Sequence, residues 1–121
     1  MAGGAGDMLT TRLYLLQRIT ALIMAPLVLG HLALMIYAVQ GGLDSAEILG
    51  RTQGSILWTL FYGSFVVAVS IHAAIGIRVV AFEILGLSKS TLSPLTWFVF
   101  FILSLLGLRA VYAVTLSGVG L

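Results

Sequence analysis

Both histidines of this 121-residue chain, His31 and His72, fall inside long apolar runs, as does Arg109; Arg18, Arg78 and Glu83 stand nearer the ends of such runs. In hydrocarbon an ionisable side chain costs roughly 2.5–3.5 kcal/mol on insertion scales, so each needs a reason to be there. A buried imidazole offers three kinds of chemistry: it ligates a metal or haem iron, relays protons, or hydrogen-bonds a neighbouring helix.

The second run reads Ser70-Ile71-His72-Ala73-Ala74-Ile75-Gly76-Ile77-Arg78. On a helix, Phe65, Gly76, Val79 and Glu83 lie within about 40° of His72. A glycine one turn from the histidine clears space for something flat and bulky, such as a porphyrin. The same spacing also suits a histidine bonded to a neighbouring helix, with Gly76 as a packing notch.

The first run carries Gln17, Thr20, Met24, Leu27 and His31 on one stripe, again within about 40°, while Arg18 lies about 140° from the histidine. Arg18 addresses another neighbour or snorkels as an anchor. Measured from the middles of their runs, His31 and His72 are offset along the membrane normal by about 11 Å. That stagger suits two stacked haems better than two ligands of one iron. Arg109, on the far half of the third run, calls for an anion such as a haem propionate or a partner's carboxylate, or else snorkels to the interface.

The elements that must carry these groups follow from composition. The chain is 60% hydrophobic and 8% charged, with mean hydropathy +1.16. Soluble proteins carry about a quarter charged residues, so the solvent of this chain is lipid. The length permits about three crossings of ~20 or more residues each. Charges and breakers place them at about 13–39, ending at Gly41-Gly42; 55–84, ending at Gly86; and 94–116, opened by Ser93-Pro94 as cap and first helical residue. Residues 43–54 read as a loop, Ala2 to Gly6 as a frayed terminus, and Pro26 as a kink. The expected fold is therefore an all-α integral membrane protein of three transmembrane helices, forming a single anchor domain over 1–121.

Arg12, Arg18, Arg78 and Lys89 fall on one side, against Arg51 beside Asp44 and Glu47 on the other. The positive-inside rule then puts the amino terminus in the cytoplasm and the carboxyl terminus outside. The first run is too long for a signal core and no A-x-A site follows it, so no cleaved leader is expected. A net charge of +2 is too small to suggest nucleic acid, and the absence of cysteine excludes disulfides and cysteine-ligated clusters within this chain.

Gln17-Arg18-Ile19-Thr20-Ala21 followed by Gly30-His31, and then His72-Ala73-Ala74-Ile75-Gly76-Ile77-Arg78, resemble the cytochrome b membrane anchors of succinate dehydrogenase and fumarate reductase. The resemblance runs from about Leu13 to Leu116 and rests most on the H-x-x-x-G-[IL]-x-R element. It implies a prokaryotic inner-membrane subunit that docks a flavoprotein and an iron–sulfur subunit and helps form a quinone site. By this resemblance His72 is an axial ligand of haem b, and Arg18 matches the arginine that in one-haem anchors lies by the quinone and the haem propionate. Where those anchors place a serine one turn earlier, this chain has Tyr14, which takes its place as donor to the quinone. His31 departs from the one-haem pattern and resembles instead the helix-1 histidine of two-haem anchors, which follows a Q-x-x-T-[GA] element and ligates the outer haem; the resemblance thus implies one haem b, on His72, or two, with His31 on the second. Gly76, Arg78 and Arg109 complete the expected haem surroundings. Bis-histidine ligation from one histidine per haem calls for a second small hydrophobic anchor subunit, itself of three helices, either a different chain or a second copy of this one. The alternatives are a haem-free structural anchor, a small transporter or proton channel relaying through His31, His72 and Arg109, and the cytochrome b anchor of another oxidoreductase.

Overall fold

A computed structural model describes residues 4–42 and 44–118. It is all-helical: α1 (Gly4–Gln40), α2 (Ser45–Thr52), α3 (Ile56–Leu85) and α4 (Lys89–Thr115). Among the described residues, α1 from Thr10, α3 and α4 are each long and apolar enough to cross a membrane. α3 lies in the middle, packed on α1 along one side and on α4 along the other. Two ends follow from the connectivity. At the proximal end α1 begins, α3 finishes and α4 starts; at the distal end α1 finishes, α2 lies, and α4 terminates.

The caps explain the boundaries. Gly86 ends α3 in the left-handed conformation (φ 63°), where a side chain would be strained. Ser55 opens α3 by accepting from the Trp58 amide at 3.3 Å. α4 starts earlier than the sequence suggests. Ser88, not Ser93, is its cap, and its carbonyl accepts from the amides of Thr91 and Leu92 at 3.0 and 2.9 Å. Pro94 therefore lies inside the helix, in its second turn. Proline has no amide hydrogen to donate to the Ser90 carbonyl, and α4 continues past it with that one i→i−4 bond missing. α1 likewise starts before Leu13, including Gly4 to Gly6 of the expected frayed stretch; Ala2 and Gly3 lie outside the described residues. α1 continues as one helix through Pro26.

The segment read as a loop contains α2, capped by Asp44, whose carboxylate accepts from the Ala46 amide at 3.0 Å. The turn after α2 closes the end of α4. Thr52 Oγ1 donates to the Val114 carbonyl (2.5 Å), Gln53 Nε2 to the Ala113 carbonyl (3.1 Å), and the Gly54 amide to the Thr115 carbonyl (2.7 Å). The last carbonyls of a helix have no partner within it, and in lipid no water replaces one. This turn supplies three. Along the α3–α4 seam the helices come close at Gly107, where a Cβ would stand 2.5 Å from Cγ1 of Val66.

Candidate haem and quinone site

The exposure pattern of α1 from Thr10 onward is a single stripe. Leu13, Gln17, Thr20, Met24, Leu27, Gly30, His31, Leu34 and Ala38 are buried or half-buried, while the residues between them are exposed. All five residues placed on the inward stripe from the sequence belong to it, and Arg18 does not. The stripe faces α3.

Thr20 meets His72: Oγ1 lies 3.3 Å from Nδ1 of the imidazole. One turn along each helix, a Cβ on Gly76 would stand 3.6 Å from Nε2 of Gln17. The space beside Gly76 thus abuts an amide of α1, and Oε1 of that amide is buried with no hydrogen-bond partner. Further toward the distal end, His31 stands edge-on to Phe65 and Tyr62, with ring centroids 5.3 and 6.3 Å apart. Both histidines lie along the α1–α3 seam at well separated levels.

At the proximal end a cavity of about 360 Å³ is lined by Thr10, Tyr14, Gln17, Arg78, Glu83 and Lys89 among apolar neighbours. Arg78 is half-buried and donates to Thr96 Oγ1 of α4 at 3.4 Å, which orients its guanidinium across the end of the bundle. Tyr14 lines the cavity, but Arg18 does not. Arg18 is exposed, with its guanidinium 5.9 Å from the Tyr14 ring. Arg109 is exposed on α4, 5.8 Å from the ring of Tyr112 on the same helix. Two residues along from Gly107, it points about 200° away from the α3 contact, toward a surface outside this chain.

A second groove, about 680 Å³, lies at the distal end between Gly30, Leu34, Tyr37, Trp58 and Phe61. Arg51 closes it, with its guanidinium 5.5 Å from the rings of both Tyr37 and Trp58 and its Nε buried with no hydrogen-bond partner. The sequence marks Arg51 only as a loop charge, because α2, which carries it back onto the groove, is not evident there. Gln17 and Lys89 were also missed as site residues. The i−3 spacing of Gln17 from Thr20 on the histidine stripe is the signal that would have found the first.

Among the described residues no three His, Cys, Asp or Glu side chains gather where a metal ion could be held. A porphyrin iron needs no such cluster, since the macrocycle supplies four ligands and the protein one imidazole per face. The donor chemistry at His72 fits that requirement: one ring nitrogen is engaged by Thr20 and the other remains for a ligand.

Fold and site together define a multi-pass membrane protein built of three apolar helices with imidazoles at one seam. Residues 4–108 match the family model of the succinate dehydrogenase/fumarate reductase transmembrane subunit, and the chain belongs to that family. No curated protein and no solved structure gives a significant match.

Proposed function

We propose that this chain is a haem b-binding anchor subunit of a succinate dehydrogenase/fumarate reductase complex. In this reading it docks the iron–sulfur and flavoprotein subunits, pairs with a second small hydrophobic subunit, and forms part of the quinone site. The observation that carries it is the placement of His72 in a member of this family: an imbedded imidazole held through Nδ1 by Thr20, one turn from a glycine. When bound, bis-histidine haem takes up and releases single electrons and has no open coordination position.

The chain's own residues supply the rest. His72, and at the distal level His31, each offer one imidazole, and a partner subunit supplies the opposite ligand. Quinone reduction takes two electrons and two protons, so its site needs positive charge and hydrogen-bond donors. In the proximal cavity Arg78, held by Thr96, and Tyr14 offer a guanidinium and a phenol to the quinone oxygens, and Lys89 stands at the same cavity as a proton source. Arg18 backs the Tyr14 ring and adds charge from outside the cavity. Preorganised positive charge of this kind stabilises the negative charge that develops on a reduced quinone oxygen.

A second reading, the haem-free structural anchor, is favoured by two contacts: His72 already has a partner on α1, and Gln17 abuts Gly76. The two readings separate in one experiment. A dithionite-reduced minus oxidised spectrum of the purified complex, with haem quantified per copy of this chain, is expected to show haem b that disappears in His72→Ala. A complex that keeps its subunits and shows no haem would establish the structural reading. The relay reading gains nothing from the seam, where Met24 and Leu27 separate the levels of the two histidines.

A further inference from the structure

We infer that Thr20 is a positioning residue for His72: it fixes the imidazole in the tautomer protonated at Nδ1 and so leaves the Nε2 lone pair for iron. The inference rests on the haem-binding reading and deepens it.

The argument is one of counting protons. A threonine hydroxyl has one hydrogen to give and two lone pairs to receive. Thr20 Oγ1 lies 2.7 Å from the carbonyl of Leu16, one turn back on α1, and 3.1 Å from that of Gln17. Carbonyls only accept, so the hydroxyl hydrogen is directed to them. The contact to His72 Nδ1 is the longest of the three, at 3.3 Å. With its hydrogen committed to its own helix, Thr20 presents a lone pair to the imidazole, and Nδ1 must be the donor. The opposite tautomer would require Thr20 to turn its hydrogen away from the 2.7 Å bond to serve the 3.3 Å one.

Burial makes the choice binding. Thr20 is 4% exposed, so water does not stand in for either partner. A neutral imidazole with its hydrogen on Nδ1 has its lone pair on Nε2, the nitrogen farther from its own backbone. A hydrogen bond donated from the other ring nitrogen also orients a ligating imidazole and makes it a more basic ligand. The back-bond of Thr20 within α1 therefore acts across the seam on the electronics of His72. Serine keeps this arrangement; valine keeps the shape of threonine and loses the acceptor.

The test uses the complete complex, purified in detergent, as wild type, Thr20→Val and Thr20→Ser. The haem assigned to His72 is followed by its midpoint potential in a redox titration and by the rate at which it is lost to added apomyoglobin. Removing the acceptor makes His72 a weaker donor to ferric iron. Thr20→Val is therefore expected to move the midpoint potential to a more positive value and to speed haem loss several-fold, while Thr20→Ser stays with wild type. Wild-type behaviour in Thr20→Val overturns the inference, and so does an equal change in Thr20→Ser. If Thr20→Val does not assemble, Thr20→Ala is compared with Thr20→Ser. Both shorten the side chain and only one keeps the oxygen, so equal potentials overturn the inference and unequal ones support it. A wild-type complex without haem defeats the haem-binding reading itself, and is seen before any substitution is made.

Discussion

His31 lies about three turns of α1 beyond Thr20, the residue that meets His72, so the two histidines are staggered by roughly 16 Å along the seam at 1.5 Å per residue. The independent contact of His31 with Phe65 of α3, seven positions before His72, gives the same sense of offset and a smaller size, about 11 Å. Two imidazoles this far apart on one seam do not approach a common iron. In the haem-binding reading proposed above, they address two separate groups stacked across the membrane.

Two haems per complex are therefore expected, each tied to one histidine of this chain. His31→Leu should remove one haem and leave the other spectrally intact, and His72→Leu should do the reverse. Haem quantified per complex, with a redox titration resolving the two, checks this. Loss of both haems from either single substitution would contradict independent sites.

The stagger of about 11 Å that the sequence suggests agrees with the count along α3 and falls short of the count along α1, and the reason for the difference is physical. Counting from the middle of each apolar run assumes that runs are centred at one depth, whereas helix register is set by pairs such as Thr20–His72 and Gly30–Phe61 that apolar composition does not encode. The inward stripe of α1 was legible because Gln17, Thr20 and His31 are its polar members and 3.6-residue periodicity groups them. α2 was not, since eight residues with Asp44, Glu47 and Arg51 around them read as a connection. The start of α4 was missed because Ser93-Pro94 mimics a cap, while Ser88 is the residue that performs the role. Which guanidinium enters the proximal cavity depended on the turn of α3 toward α4 at Thr96, a tertiary contact with no sequence signature.

Arg78 should matter more than Arg18 for quinone turnover. Arg78 lines the proximal cavity, whereas Arg18 lies outside it, over the Tyr14 ring. Arg78→Gln is expected to lower quinone-dependent succinate oxidation by about 10²-fold, the scale on which loss of one charge-stabilising donor is felt. Arg18→Gln should cost much less. Electron transfer from succinate to a soluble dye acceptor should be unchanged in both, and equal losses in the quinone assay would reverse the assignment.

Gly76→Ala discriminates a packing notch from a cofactor cradle. Within this chain the added methyl meets Nε2 of Gln17 at 3.6 Å, an ordinary contact, so helix packing should survive. If haem lies against Gly76, the same methyl intrudes on it. The expected result is an assembled complex with reduced haem content and a displaced Soret band. Unchanged haem content would mean that Gly76 serves the α1–α3 contact alone.

Gly107→Ala is expected to be far more damaging to the fold, because here the added Cβ falls 2.5 Å from Val66 Cγ1 and within 3.2 Å of its Cβ. Val66 is branched at Cβ, and the 3.2 Å approach involves the branch point itself, so no rotation of its side chain relieves the crowding. The helices must separate, and contacts along the seam loosen with them. Overpacking of this kind costs about 1–3 kcal/mol. Gly50→Ala in α2, where a Cβ meets nothing within 4 Å, provides the control. Thermal loss of assembly in detergent, followed by size-exclusion chromatography, should shift to lower temperature for Gly107→Ala and stay at the wild-type value for Gly50→Ala. Equal behaviour of the two would show that α3 and α4 accommodate the methyl without separating.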